Sequence, residues 1–80
     1  MKLVEAVAKR TENLLAEKEI TMYQLAKNGG INRSTVWHVV NVDLARVSTV
    51  KLDTVYQIAA TLDMTLQEFF DDPLFDDISD

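Results

Sequence analysis

Eighty residues, 48% of them hydrophobic and none of them cysteine, describe one small domain whose core lies near the lower limit of independent stability, and exclude disulfides and thiol-ligated metals. A net charge of −5 argues at first against a nucleic-acid partner. Its distribution reverses that: residues 1–51 hold all 8 basic side chains and five acids (Glu5, Glu12, Glu17, Glu19, Asp43), a balance of +3, whereas residues 52–80 hold 8 acids and no base, −8.

The first ten residues carry Lys2, Glu5, Lys9 and Arg10 inside an amphipathic pattern, which is not the order of a secretory signal. No apolar run approaches bilayer-spanning length. A soluble, cytoplasmic domain without membrane contact is expected. Val4, Val7, Ala8, Leu14 and Leu15, with Thr11 and the stem of Lys18 on the same stripe, predict a first helix over residues 3–18.

Ile20 precedes Thr21 as a hydrophobic staple, and Thr21 with Gln24 three residues on has capping-box spacing for a second helix. Ala26 is small enough for a close helix crossing. Gly30 can take the left-handed backbone of a sharp turn. Asn32 is a good cap for a third helix over residues 33–40, whose Val36 and Val39 return to pack on Leu25 and Ala26.

Residues 42–50 lack caps and read as a partly extended loop. Its Val42, Leu44, Val47 and Val50 are more apolar than a solvated connection needs, and are expected to close over the core or to form a subunit contact. A fourth helix is predicted over residues 52–62, with Leu52, Val55, Tyr56, Ala59 and Leu62 on its buried face and Ile58 beside them. Asp63 and Met64 break that pattern. Thr65 and Glu68 cap a last short helix with Leu66, Phe69 and Phe70 inward, and Pro73 stops it. Tyr23 and Tyr56 are expected as core or rim aromatics. The chain divides into a domain at 1–72 and an acidic, mobile tail at 73–80, whose Leu74, Phe75 and Ile78 could dock.

Residues 21–41, TMYQLAKNGGINRSTVWHVVN, resemble a helix-turn-helix DNA-binding unit of the Cro/phage-repressor (xenobiotic-response-element) type. Ala26, Gly30, Val36 and Val39 carry the match. The stretch LDTVYQIAATLDMTLQEFF looks much like that family's fourth and fifth helices, so the resemblance covers roughly residues 7–70. It implies an all-α, five-helix, lambda-repressor-like DNA-binding domain with the helix-turn-helix at about residues 21–41. Two departures stand out. Met22 occupies a position where the family often has a phosphate-touching glutamine, and the loop after the third helix is longer and more apolar than usual.

Successive helical residues turn by about 100°, so with Val36 at zero, Val39 and Val40 lie about 60° and 40° to either side, on the buried face. Ser34, His38 and Asn41 fall near the opposite pole, Trp37 on the flank, and Arg33 at the helix start. A recognition helix sets its N-terminal residues against base edges. Arg33, Ser34, Trp37 and His38 are therefore the candidate base readers, and the resemblance implies base contact for Arg33, Ser34 and His38. Arg33 can fork onto guanine O6 and N7, Ser34 discriminates weakly, and protonated His38 can donate to a purine N7 or a phosphate. For His38 a plain exposed histidine is an equal alternative. Trp37 is open between packing beneath the loop, as tryptophan more often does, and pressing on a thymine methyl or a sugar. Lys27, Asn32, Asn41, Arg46 and Lys51 are candidates for phosphate contacts that position without specifying.

These features favour a sequence-specific transcriptional regulator, a repressor or prophage-type switch, bound as a homodimer to a palindromic operator in double-stranded DNA. The dimer surface is expected at the apolar loop, at Phe69 and Phe70, or in the tail. The alternative is a protein-interaction module on the same scaffold, antirepressor or antitoxin-like, motivated by Met22, Trp37 and the apolar loop. One histidine, no cysteine and no glycine-rich phosphate loop argue against catalysis, and neither metal nor cofactor is expected.

Overall fold

The computed structural model describes residues 1–43 and 49–79. Among them are five α-helices and no strand: α1 Leu3–Lys18, α2 Met22–Gly29, α3 Arg33–Val40, α4 Leu52–Thr61 and α5 Leu66–Phe70, followed by a 3-10 turn over Pro73–Phe75. The expected bounds of α1 and α3 are met. Of the loop after α3, Val42 and Val50 are half-buried and Val50 packs on the core, while Leu44, Arg46 and Val47 lie outside the described residues.

Local sequence writes the helix ends. Thr21 Oγ1 accepts the Gln24 N–H at 3.1 Å, and Gln24 Oε1 accepts the Thr21 N–H at 2.9 Å. Thr65 and Glu68 repeat this exchange at 3.0 and 2.9 Å, so both predicted capping boxes form. Asn32 Oδ1 accepts the Ser34 N–H at 2.9 Å and thereby caps α3.

Three helices finish alike. Glu19, Gly30 and Asp63 take left-handed φ values of 55°, 62° and 61°. The apolar residue after each returns its N–H to a carbonyl five residues back: Ile20 to Leu15 at 3.0 Å, Ile31 to Ala26 at 2.9 Å and Met64 to Ala59 at 2.9 Å. This is the Schellman arrangement, in which the residue after the left-handed one also packs inward. Ile31 is buried, and Ile20 and Met64 pack against the core. Of the three left-handed positions only Gly30 is glycine. Gly29 is demanding for another reason: a Cβ there would run into Thr61 Oγ1, because α2 and α4 meet closely at that point.

The core collects Val7, Leu14, Leu25, Val36, Val55, Ile58 and Phe69 from all five helices. The face of α4 is rotated from the expected one. Leu52 and Tyr56 are exposed, at 66% and 57%, while Thr54, Val55, Ile58, Ala59 and Leu62 are buried. About 100° per residue puts Leu52 and Tyr56 on one flank of the Val55–Ala59 line, and the packing extends to the other flank. Lys18 is exposed as well, so the α1 stripe ends at Leu15.

Part of the acidic end packs on the domain, as its apolar residues allowed. The Phe75 ring meets Phe70 edge-on, with ring centroids 4.9 Å apart, and lies tilted against Phe69 at 6.2 Å. Arg10, buried in α1, ties this segment down. Its Nε donates to the Phe69 carbonyl at 2.8 Å, its Nη2 to the Glu68 carbonyl at 3.0 Å, and its Nη1 to Asp72 Oδ2 at 3.0 Å. Pro73 opens the 3-10 turn, two residues beyond the α5 cap Asp71, and Asp72 caps the turn through the Leu74 N–H at 2.9 Å. Phe69 is fully buried, whereas Phe70, engaged on one side by Phe75, is half-buried and lines a surface groove with Leu66, Gln67 and Asp71.

Candidate nucleic-acid interface

The second helix of the Gly30 hairpin has two unlike sides. Val36 and Val39 are buried, whereas Arg33, Ser34, Trp37 and His38 are all exposed. Four local devices hold the helix in that attitude: the left-handed Gly30, the inward Ile31, the Asn32 cap and the Val36–Val39 anchor.

Arg33 does not wave freely. Its guanidinium carbon lies 5.2 Å from the centroid of the Tyr23 ring, a cation–π contact between α3 and α2 that restricts the arginine's rotamers. Ser34 donates its hydroxyl to Asn32 Oδ1 at 2.6 Å, so its acceptor lone pairs are what it can offer outward. Asn32 likewise keeps its amide N–H groups, its carbonyl being committed to the cap. Asn41 spends one amide N–H on the Trp37 carbonyl at 3.0 Å.

Trp37 is 52% exposed, and it lines a groove with Met22, Tyr23, Arg33 and Ser34. It does not line the cavity beside the described part of the loop. That cavity, of about 300 Å³, lies between α1 and α3 and is bordered by Val42, Thr49 and Val50, with His38 and Lys51 on its lining. Of the two readings of Trp37, packing beneath the loop is not seen at the loop's described residues: His38 lines the cavity beside them, and the Trp37 ring, half exposed, meets His38 edge-on at 5.3 Å.

Lys51 is exposed at the N-cap of α4, where helix-end N–H groups add their partial positive charge to its own. Lys27 is exposed in the last turn of α2. Arg46 falls outside the described residues. Arg10 is withdrawn from the basic surface by burial against Asp72, which carries part of the positive first half into the interior.

Tyr23 and Met22 are the residues that pattern reading missed at this surface. Tyr23, 53% exposed, is not a core or rim aromatic. A signal was present: with Leu25 at zero, Tyr23 falls about 160° away, opposite the buried side of α2. An aromatic ring at that pole has no packing duty. Met22 is half-buried, and packs on the core while lining the groove, so it is no substitute for an exposed polar phosphate contact.

A pair of helices joined by a tight glycine turn, the second with valines in the core and cations and hydrogen-bonding groups in solvent, defines a helix-turn-helix DNA-binding domain. The chain belongs to the family of Cro/C1-type HTH DNA-binding domains, whose model matches residues 12–73. It is similar to the prophage Lp1 protein 11, known from a crystal structure: the TM-score is 0.79 at 25% identity, over 98% of this chain and 100% of that one. No curated protein sequence matches. Among the described residues no helix is long and apolar enough to cross a membrane.

Proposed function

We propose that this DNA-binding domain is a transcriptional regulator, a repressor or prophage-type switch, that reads the major groove with the helix beginning at Arg33. The observation that carries the reading is the division of α3: Val36 and Val39 are buried, Val40 is half-buried, and Arg33, Ser34, Trp37 and His38 face solvent. Arg33, ordered by Tyr23, forks onto a guanine. Ser34 accepts a hydrogen bond and His38 donates one. Lys27, Asn32, Asn41, Arg46 and Lys51 hold phosphates and set the register. One such domain spans a single half-site, so the chain acts as a homodimer on a palindromic operator with half-sites about 34 Å apart. Similarity to a prophage protein supports the switch role.

A second reading, a protein-interaction module of the antirepressor or antitoxin kind, draws on the aromatic surface of Tyr23 and Trp37 and on the net charge of −5. Selection of binding sites from random DNA with the purified chain, followed by a salt titration, separates the two. The regulator reading expects a recovered inverted repeat and an affinity that falls steeply with salt, in proportion to the phosphates held. Undetectable affinity for every duplex at low salt, beside tight capture of a protein partner, would overturn it.

A further inference from the structure

Two aromatic rings and a thioether border the groove beside Arg33. Tyr23 and Trp37 are 53% and 52% exposed, Met22 is half-buried and anchored in the core, and the three share a groove of about 380 Å³ with Arg33 and Ser34. Such a group left in water on a recognition surface marks a place for an apolar partner. The edges of the base pairs in a major groove offer one apolar substituent, the C5-methyl group of thymine or of 5-methylcytosine; every other feature there is a donor or an acceptor. Met22 suits it, because a thioether on a flexible, polarisable stem adapts to a small apolar knob.

Resting on the base-reading strip proposed above, we infer that Met22, Tyr23 and Trp37 form a pocket for the C5-methyl of a pyrimidine close to the guanine that Arg33 reads. Geometry sets the distance. Arg33 and Trp37 stand four residues apart on α3, a rise of about 6 Å, and base pairs follow at about 3.4 Å. The methyl-bearing pair therefore lies within about two steps of the guanine. Tyr23 serves both neighbours, one ring holding Arg33 and walling the groove. The operator half-site thus carries a methyl group beside its guanine that adds to affinity.

The test uses the full chain and its selected half-site, with binding followed by fluorescence anisotropy. Each thymine is replaced singly by deoxyuridine, which removes one methyl group and nothing else. One position within two pairs of the guanine should lose about fourfold in affinity, as expected for one buried methyl, while the other positions change less than twofold. At that position a C·G pair should bind more tightly when its cytosine carries the 5-methyl group, which distinguishes the methyl from thymine as such. Trp37→Ala and Met22→Ala should bind the thymine and uracil sites equally, yet keep the penalty for replacing the guanine. Indifference to every uracil substitution would overturn the inference, and so would a thymine-to-uracil ratio unchanged in both variants. The uracil arm needs no altered protein, so a misfolded variant cannot shield the idea. Failure to select any site, or Arg33→Ala binding the selected site as tightly as the parent, would sink the base-reading strip and the methyl pocket together; uracil indifference on a selected, Arg33-dependent site sinks the pocket alone.

Discussion

Replacing Arg10 with methionine separates two explanations for how the C-terminal segment is held. The side chain is 11% accessible and makes three bonds, two to main-chain carbonyls of α5 and one to Asp72, whose side chain is 24% accessible. Phe69 is fully buried, so its carbonyl has no water to replace the arginine. Leaving that acceptor unpaired costs about 1–3 kcal/mol. The Glu68 carbonyl also accepts the Asp71 N–H, so its loss is the smaller one. Methionine preserves most of the apolar stem packing, so the expected total is about 2–4 kcal/mol, against about 4–12 kcal/mol for a whole domain of this size. The ion pair is the lesser contribution: Asp72→Asn keeps the turn cap and should cost about 1 kcal/mol or less. At about 4–8 °C per kcal/mol, Arg10→Met should lower Tm by roughly 8–32 °C and Asp72→Asn by roughly 8 °C or less. Circular dichroism during thermal and urea unfolding measures both. Equal losses from the two variants would show that the charge pair, not the carbonyl caps, holds the segment. A loss under about 0.5 kcal/mol for Arg10→Met, the range of an ordinary surface change, would refute the clamp.

The left-handed turns make an opposed pair of predictions. Gly30→Ala has open space for its Cβ, so its cost is backbone strain alone, about 1–2 kcal/mol, with Gly30→Val worse; Glu19→Gly and Asp63→Gly should instead raise the urea midpoint. On selected DNA, Arg33→Ala should weaken cognate binding far more than random binding, whereas Lys27→Ala and Lys51→Ala weaken both alike and flatten the salt slope; equal losses for all three would reduce Arg33 to a phosphate contact. Glu68 supplies a pH test. The Thr65 backbone N–H first, then the Thr65 side chain, hold its carboxyl below the ordinary range, so its contribution is present above the unfolded value and lost as pH falls through the folded one. Glu68→Gln should therefore show a shallower acid-side fall in stability than the parent, measured by urea unfolding across that range.

The local parts of this fold were legible in the residues. Thr21 with Gln24, Thr65 with Glu68, Gly30 and Asn32 act within three residues of themselves, and each does in space what its spacing announces. What escaped was set at long range. Arg10 meets its partners 58–62 residues away, and helical periodicity reads a charged residue on the flank of a stripe as solvated. The docking open to Phe75, by contrast, was legible, and that ring completes an aromatic cluster whose other members belong to α5. On α4, apolar Leu52 and Tyr56 and polar Thr54 sit on opposite flanks of one ridge, and only the neighbouring helices decide which flank is covered. At the interface, the strip beginning at Arg33 followed from α3 alone, whereas the Tyr23 contact required knowing how α2 lies beside it.

The residues that hold α3 and those it displays are almost separate sets. Ile31, Val36 and Val39 anchor it, and substitutions at exposed positions such as Trp37 and His38 should stay within about 0.5 kcal/mol of neutral. A library varied at the outward positions would consequently inherit an intact scaffold. Ser34, bonded to the cap, and Arg33, held on Tyr23, are displayed residues whose randomisation also taxes folding. The outward face of α3 is in that sense modular: it can be varied while the body beneath stays as it is.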